Sequence, residues 1–544
     1  KLKKMKNKLI YTLAIVAIAF NSETLLAQKN KVSDKCLYYF DKLEKSAPWI
    51  VSENGAGLVF NSAQNFSSFG AFYGYDNGEY KNYYDPSEYN TFGISTKSYV
   101  KVKDVYYFGE LIYDYGIKQN QGWLGTIYPN TTNDPIVDSI PGKVLREDYY
   151  LNGKIGYPLS DQISIGLGVN YHTATAAKRT DGRNRNTLSS FNISPGIVFN
   201  KGILSVGLNL SYKHDVERVD YEYLGDKTGK SIYYMEGLFF YSKTGITSTT
   251  ILERGYFKDY FGGALQVELR KNNVKFFNQL KVDYNNEDDY EGNSLLKRYA
   301  YTDGLKYDYS GTLSVVTKTI DNYLKLGFTN NQQFSYNVIT NYELVPNEIS
   351  TWDYFEYGKT LRYMVDDTRY GAEYKGFLKR QDGCKWNFSW IFTLGANYNK
   401  VKKDYKIYPA IYHQDYENTE IYANILKNFR IKDIALIDVD VEGSYVNGDG
   451  TMLEYKNPIT TGSLLLNNSL LQHDFAYRTA DRAKIGGGVK YTHILNATKG
   501  MTAFCKASYT YQYLIDDGGL DNILDGVLPG TYKSFVNVSI GLNF

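Results

Sequence analysis

The chain runs to 544 residues, with 61 Lys and Arg against 59 Asp and Glu, and with 55 Tyr, 27 Phe and 48 Gly but only 3 Cys and 5 His. The near-neutral balance offers no basic stripe for nucleic acid, and so few cysteines cannot staple a disulfide scaffold. A mean hydropathy of −0.42, without an internal apolar run near about 18 residues, excludes a helical membrane protein.

Residues 1–27 read as a secretory signal peptide. Lys1 to Lys8 is basic, Leu9 to Phe20 is apolar, and Leu25-Leu26-Ala27 supplies a cleavage position before Gln28, the order that export requires. Cys36 lies too far from the apolar stretch to be a lipidated first residue. Residues 28–66 follow a different pattern. Leu37, Phe40 and Leu43 have helical spacing, Ala47-Pro48-Trp49 ends that helix, and Asn54-Gly55-Ala56-Gly57 reads as a turn or tight packing site. This segment is expected on the periplasmic face, as a small plug in a lumen, or as a disordered leader.

From residue 67 to 544 the chain is a series of two-residue periods. Ile163, Ile165, Leu167, Val169 and Tyr171 alternate with small or polar neighbours, as do Leu204, Val206, Leu208, Leu210 and Tyr212. Alternation gives a strand one apolar and one polar face, and about ten such residues cross a bilayer when tilted. Strands are expected near 67–75, 91–100, 105–116, 147–157, 163–172, 189–199, 203–213, 260–269 and 274–284. The second half gives 307–317, 322–330, 369–379, 387–398, 419–429, 434–446, 482–493, 502–513 and 534–544. That makes about 18, with 16 or 20 as alternatives.

Short turns such as 101–104, 158–162 and 270–273 alternate with the long segments 117–146, 173–188, 214–259, 285–306, 331–368, 399–418, 447–481 and 514–533. A sandwich has no reason to keep that order. An all-β transmembrane antiparallel β-barrel does, with short periplasmic turns and long extracellular loops. Tyr171, Tyr212, Tyr398, Tyr445 and Tyr491, at strand ends, suit an interfacial girdle. The last strand closes on an aromatic residue, and Ile540, Leu542 and Phe544 are expected to be the signal read by the barrel assembly machinery.

Ile437, Val439, Val441 and Tyr445 share one strand face, leaving Asp438, Asp440 and Glu442 on the other. Lys484 and Lys490 oppose Ile485, Val489 and Tyr491, and Lys275, Lys281 and Asp283 oppose Val274, Leu280 and Val282. A Lys in hydrocarbon costs up to about 2–4 kcal/mol near the midplane, so these eight charges are expected to face the lumen. They line a solute pathway, or they pair across strands in a filled interior. Lys178, Arg179, Arg183 and Arg185 in the 173–188 loop form a basic mouth or a solvated face meeting anionic headgroups. Tyr221, Tyr223, Tyr233, Tyr234, Phe239, Phe240, Trp352, Tyr354, Phe355 and Tyr357 crowd two long loops and are expected to pack these loops together or to bind a partner.

None of His172, His214, His413, His473 and His493 sits in a nucleophile elbow, a zinc motif or a His–acid spacing. Cys384 and Cys505 read as plain small residues. No catalytic, cofactor-binding or metal-ligating residue is assigned, and the chain is read as a non-enzyme.

Ala47-Pro48-Trp49 with Asn54-Gly55-Ala56-Gly57-Leu58 resembles the start of an uncharacterised outer-membrane β-barrel family of Bacteroidota. The likeness continues through Gly74-Tyr75-Asp76-Asn77-Gly78-Glu79-Tyr80, Gly109-Glu110, Gln121-Gly122-Trp123, Asp181-Gly182-Arg183 and Met235-Glu236-Gly237-Leu238. The resemblance implies an exported barrel in a Gram-negative outer membrane and carries no activity. Three functions follow from these readings. The first is a porin-like or substrate-specific channel. The second is a non-conducting barrel that partners an outer-membrane lipoprotein or transporter, and the remote third is an outer-membrane enzyme. The expected partners are lipid and the assembly machinery, with no nucleic acid.

Overall fold

The computed structural model describes residues 34–37, 39–63, 65–247, 253–292, 297–381, 386–407, 411–432, 434–452, 464–516 and 529–544. The export signal expected at 1–27 lies outside them, as does Cys384. In chain order the strands are β1 (Phe66–Gly78), β2 (Glu88–Val102), β3 (Val105–Gln121), β4 (Ile136–Val137), β5 (Gly142–Pro158), β6 (Ile163–Lys178), β7 (Arg183–Lys201) and β8 (Leu204–Glu222). There follow β9 (Ser231–Met235), β10 (Phe240–Gly245), β11 (Glu253–Lys271), β12 (Val274–Glu291), β13 (Lys297–Val316), β14 (Ile320–Leu344) and β15 (Trp352–Lys379). The last are β16 (Phe388–Tyr405), β17 (Tyr412–Ile431), β18 (Ala435–Met452), β19 (Leu464–Leu466), β20 (Asp481–Asn496), β21 (Met501–Asp516) and β22 (Tyr532–Asn543).

Eighteen of these close into one antiparallel barrel. Ala71 opposite Ile540 and Tyr75 opposite Val536 join the first strand to the last, so no edge is left unpaired. Each of the 18 expected segments overlaps one barrel strand. Sharp turns join strands at one end, and Lys103, Gly202 and Asn272 take positive φ there, as two-residue hairpin turns demand.

The strands outrun their expected lengths at the opposite end. Segments 173–188, 285–306, 331–368 and 399–418 are mostly strand rather than loop. The apolar–polar period marks only the stretch facing hydrocarbon, and beyond that belt both faces are polar. The remaining connections carry β4, β9, β10 and β19, which form a separate four-stranded sheet.

The sidedness is the reverse of a soluble barrel. Leu208 is 51% exposed on the outer wall, while its neighbour Asn209 is 1% exposed inside. Ile165, Leu265, Leu280, Leu394, Ile421 and Val489 are likewise exposed, whereas Ser205, Gln266, Glu268 and Ser314 are buried. Among the described residues no helix is long and apolar enough to cross a membrane. Leu208→Arg puts a guanidinium in the middle of the outer apolar run of β8. Its urea-refolding stability in phospholipid vesicles is expected to fall by about 2–4 kcal/mol; a change below about 0.5 kcal/mol, usual for an ordinary surface substitution, would mean that hydrocarbon is not what this face meets.

Candidate functional site

Of the described residues before β1, 34–37 and 39–63 lie inside the ring, at the end with the tight turns. The helix Phe40–Ser46 carries alternating charges, and each meets its opposite on the wall. Asp41 pairs with Lys375 at 2.9 Å, Lys42 with Asp321 at 3.2 Å, Glu44 with Lys97, and Lys45 with Glu373. Tyr39 donates to Asp438, Lys154 donates to the Ser52 carbonyl at 2.7 Å, and Lys275 donates to the Ser46 carbonyl at 3.3 Å. Asn54 Nδ2 reaches the carbonyls of Ile197 and Leu208 and Gln266 Oε1, all within 3.2 Å. Leu37, Leu43, Ile50 and Leu58 form an apolar cluster with Phe66, Tyr99 and Phe108 of the wall.

The wall is dented to receive this segment. A Cβ on Gly166 would lie 2.1 Å from Ala56 N, and one on Gly196 would lie 2.2 Å from Asn54 Oδ1. The Asn54–Gly57 turn therefore nests against inward-facing glycines. Near Ala497, burial pushes the Cys36 thiol up to about 11, which leaves it protonated and inert at neutral pH.

The long-connection end of the lumen is closed by a lid. The sheet β4–β9–β10–β19 sits over it, with Ile136, Ile232 and Phe240 fully buried. Phe240 stacks on Tyr405 at 4.1 Å. Asp134 pairs with Arg362, and its carbonyl accepts from Arg254 at 2.7 Å and Tyr299 at 2.8 Å. The helix Asn468–Thr479 is tied down through buried Asp474, which receives Arg478 and Asn82 at 2.9 Å and lies 3.5 Å from Lys403.

Between segment and lid lies a chamber. One cavity of about 670 Å³ is lined by Gln279, Ser310, Lys325, Thr329, Arg369 and Asn397, and a second of about 210 Å³ shares Asn397 and adds Glu420, Lys484 and Arg482. Part of the lining charge is already matched. Arg369 bonds Asp367 at 2.9 Å, Asp308 pairs with Lys306 at 2.7 Å, and Asn397 donates to Glu420 at 3.2 Å. The rest of the surface mixes amides and hydroxyls with the cations Lys325, Lys484 and Arg482 and the rings of Phe328 and Tyr370, which suits a polar ligand with hydrogen-bonding groups on several sides.

The eight charges singled out in the sequence take varied partners. Asp438 is buried between Tyr39 and Asn428, and Lys490, opposite it in register, sits 5.1 Å from the Tyr39 and Phe504 rings. Asp440 lies against Gly488, and Glu442 accepts from Thr510 at 3.0 Å. Lys484 lines the smaller cavity. Lys281 stands between Asp283 at 3.2 Å and Glu53 at 3.7 Å, while Lys275 holds the Ser46 carbonyl.

The basic residues near 173–188 are not gathered into one mouth loop, because β6 and β7 run on to a turn at 179–182. Lys178 is buried against Asp138 and the Ile140 carbonyl, Arg183 pairs with Asp181 at 2.8 Å, and Arg185 with Asp220 at 3.2 Å. The Arg179 backbone N–H donates to Lys143. The aromatic residues divide as well. Tyr221 on β8 and Tyr223 just after it are buried against the lid, Phe239 and Phe240 are buried within it, and Tyr233 and Tyr234 of β9 pack beside them. Trp352, Tyr354, Phe355 and Tyr357 lie instead on β15.

Sequence spacing also missed the histidine contacts. His172 bonds Asp148 at 2.6 Å and Tyr128 at 3.0 Å, His214 bonds Asp259 at 2.8 Å, and His413 bonds Asp404 at 2.7 Å. Each acid comes from a neighbouring strand, so only the register could reveal it, while Tyr128 reaches His172 from the connection after β3. Ser190 stands directly opposite His172, yet no hydrogen bond joins them. Among the described residues no group of three His, Cys, Asp or Glu is arranged to hold a metal ion.

The class defined by this geometry is a closed 18-stranded β-barrel whose lumen is occupied at both ends by its own chain. The chain belongs to the family of unknown function DUF6850, whose model matches residues 55–544. No protein of curated function matches it. Among solved structures it is similar to the outer membrane transporter YddB from Escherichia coli, with 8% identity, a TM-score of 0.37, and coverage of 89% of this chain and 81% of that one. The ferric enterobactin receptor PfeA of Pseudomonas aeruginosa gives 8% identity, a TM-score of 0.39 and coverage of 89% and 82%. The RagAB peptide importer gives 6%, 0.36, and 88% and 87%. At that level of superposition the likeness carries no functional information.

The lid helix supplies a pH test. Burial alone would raise the Asp474 pKa, but Arg478, Lys403 and Asn82 outweigh it and hold the carboxyl well below its ordinary value. Because the folded pKa is depressed, the contribution of Asp474 is complete above about pH 4, the unfolded value, and is lost as the pH falls further. Hydrogen-exchange protection in residues 468–479, measured relative to the intrinsic rate at each pH, is expected to be unchanged from pH 8 to 5 and to fall below 4. Asp474→Asn, which strands two buried cations, is expected to loosen the lid at neutral pH by about 3–5 kcal/mol; unaltered exchange in that variant would contradict the assignment.

Proposed function

We propose that the protein is an integral barrel of a Gram-negative outer membrane, exported by its N-terminal signal, that admits one class of polar solute through a gated lumen. In this reading the tight turns face the periplasm and the long connections face outward. Residues 34–63 act as a stopper, and the chamber holds the solute between stopper and lid. Ile540, Leu542 and Phe544, on the closing strand, serve as the recognition segment for assembly.

The observation that carries the proposal is the way the lumen is filled. A ring of 16–18 strands is wide enough for an aqueous channel. Here the space at the tight-turn end is taken by a separate segment that bonds to ten strands of the wall, β2, β5, β7, β8, β11, β12, β14, β15, β17 and β18. Its attachments combine ion pairs and hydrogen bonds, which water or a polar solute can replace, with apolar packing of Leu37, Leu43, Ile50 and Leu58 on the wall. The lumen charges Asp438, Asp440, Glu442, Lys484, Lys490, Lys275, Lys281 and Asp283 then hold the stopper and line the route it uncovers. A second reading, a non-conducting barrel that serves a partner, is favoured by closure at both ends.

Planar-bilayer recording separates the two. The wild-type protein is expected to be silent. The variant Lys42→Glu/Lys45→Glu/Asp474→Asn, which breaks the stopper and lid attachments, is expected to give steps of stable size. If that variant stays silent while protease cuts both 34–63 and 468–479, passage through the lumen is excluded and the partner reading stands.

A further inference from the structure

β14 and β15 are the longest strands, at 25 and 28 residues, and their far ends leave the barrel behind. β13 accompanies β14 only to Asn337, and β16 accompanies β15 only to Tyr363. Beyond these points residues 338–344 and 352–359 pair with each other alone. The ribbon stands clear by roughly 24 Å, at about 3.4 Å per residue. A two-stranded ribbon in water is marginally stable by itself.

Its base is anchored and its tip is not. At the base Glu356 pairs with Arg298 at 3.0 Å, and Lys359 lies 4.1 Å from the Tyr301 ring and 4.4 Å from Tyr336. Toward the tip one face carries Tyr342 stacked on Trp352 at 5.7 Å and tilted against Tyr354 at 4.8 Å. Trp352 and Tyr342 are each 53% exposed, and Ile349 at the turn is 99% exposed. The opposite face places Glu343 directly across from Asp353. Like charges so placed repel, and neither has a cationic partner among the described residues. Tyr357 and Asn341 donate to Glu343, but their hydrogen bonds bring no counter-charge. Residues 341–357 hold four acids and no Lys, Arg or His.

We propose that this ribbon is a docking arm for a protein partner whose contact surface is basic and presents an apolar pocket. The partner's cation settles between Glu343 and Asp353, and its pocket takes Trp352 and Ile349. Exposed Trp and Tyr are the side chains that dominate interface energetics, while an uncompensated carboxylate pair sets the sign of what may approach. A register bulge between Ile339 and Thr340 leaves Tyr357 as an extra residue on β15 and interrupts that ribbon edge for strand addition, so docking uses the faces. The inference goes beyond solute passage and holds whether or not the lumen conducts.

The test uses the intact protein in its own outer membrane, with a photo-cross-linking amino acid in place of Ile349. One companion protein is expected, joined through a peptide rich in Lys or Arg. Its yield should fall at least tenfold in Glu343→Lys/Asp353→Lys, which keeps the repulsion and reverses its sign, and in Trp352→Ala. Heat-modifiable migration confirms that the barrel of each variant is folded. The proposal is overturned by the absence of a companion, by one retained in both variants, by an acidic contact peptide, or by cross-linking to glycolipid. Calcium binding by the purified protein that Asp353→Asn abolishes would also overturn it, because the carboxylates would then be a metal site.

Discussion

Every backbone group in the wall of this molecule has to find its hydrogen-bond partner within the wall, and closure of β1 onto β22 is what makes that possible. A lipid-facing edge would leave each N–H and C=O unpaired at several kcal/mol apiece. With the ring closed, the alternation of side chains does the rest: one set turns to hydrocarbon and the other to the interior. The chain can therefore have negative mean hydropathy and still present an apolar exterior, because its polar half is enclosed.

Enclosure creates the second problem, a space too wide for wall side chains to fill. The chain fills it with two inserts. The inner segment is charged and matched to the wall side chain by side chain, through Asp41, Lys42, Glu44 and Lys45. The lid is a small sheet and helix whose Phe240, Leu471 and Met235 pack against Tyr363, Tyr405 and Tyr412 of the wall. Both inserts thus combine apolar packing with partly buried ion pairs, and the ion pairs are the contacts sensitive to what else can solvate them.

The barrel was legible in the sequence wherever the membrane imposes its period. Runs such as 163–172 and 203–213 announce both strand and sidedness, and turns such as 270–273 mark one end. Legibility stops where hydrocarbon stops. Residues 331–344 and 352–368 are strand, yet Asn, Tyr, Asp and Glu occupy both faces there, so no alternation betrays them. The pairings that define the interior were also hidden. His172 with Asp148 and Lys42 with Asp321 join residues 24 and 279 positions apart, and only the register of a closed sheet brings them together. The tight turn at Asn54–Gly57 was readable as a packing site, but the glycines that receive it, Gly166 and Gly196, looked like ordinary small residues of two strands.

The position of the inner segment constrains how the molecule can be made. It precedes β1 in the chain, and β1 cannot be sealed until Tyr532–Asn543 has arrived. The first-synthesised part of the fold must therefore wait for the last, and the stave that completes the cask also encloses what already lies in it. Ring closure and internal loading are in this way a single event, and a chain interrupted before its final strand has nothing to close around the segment it carries.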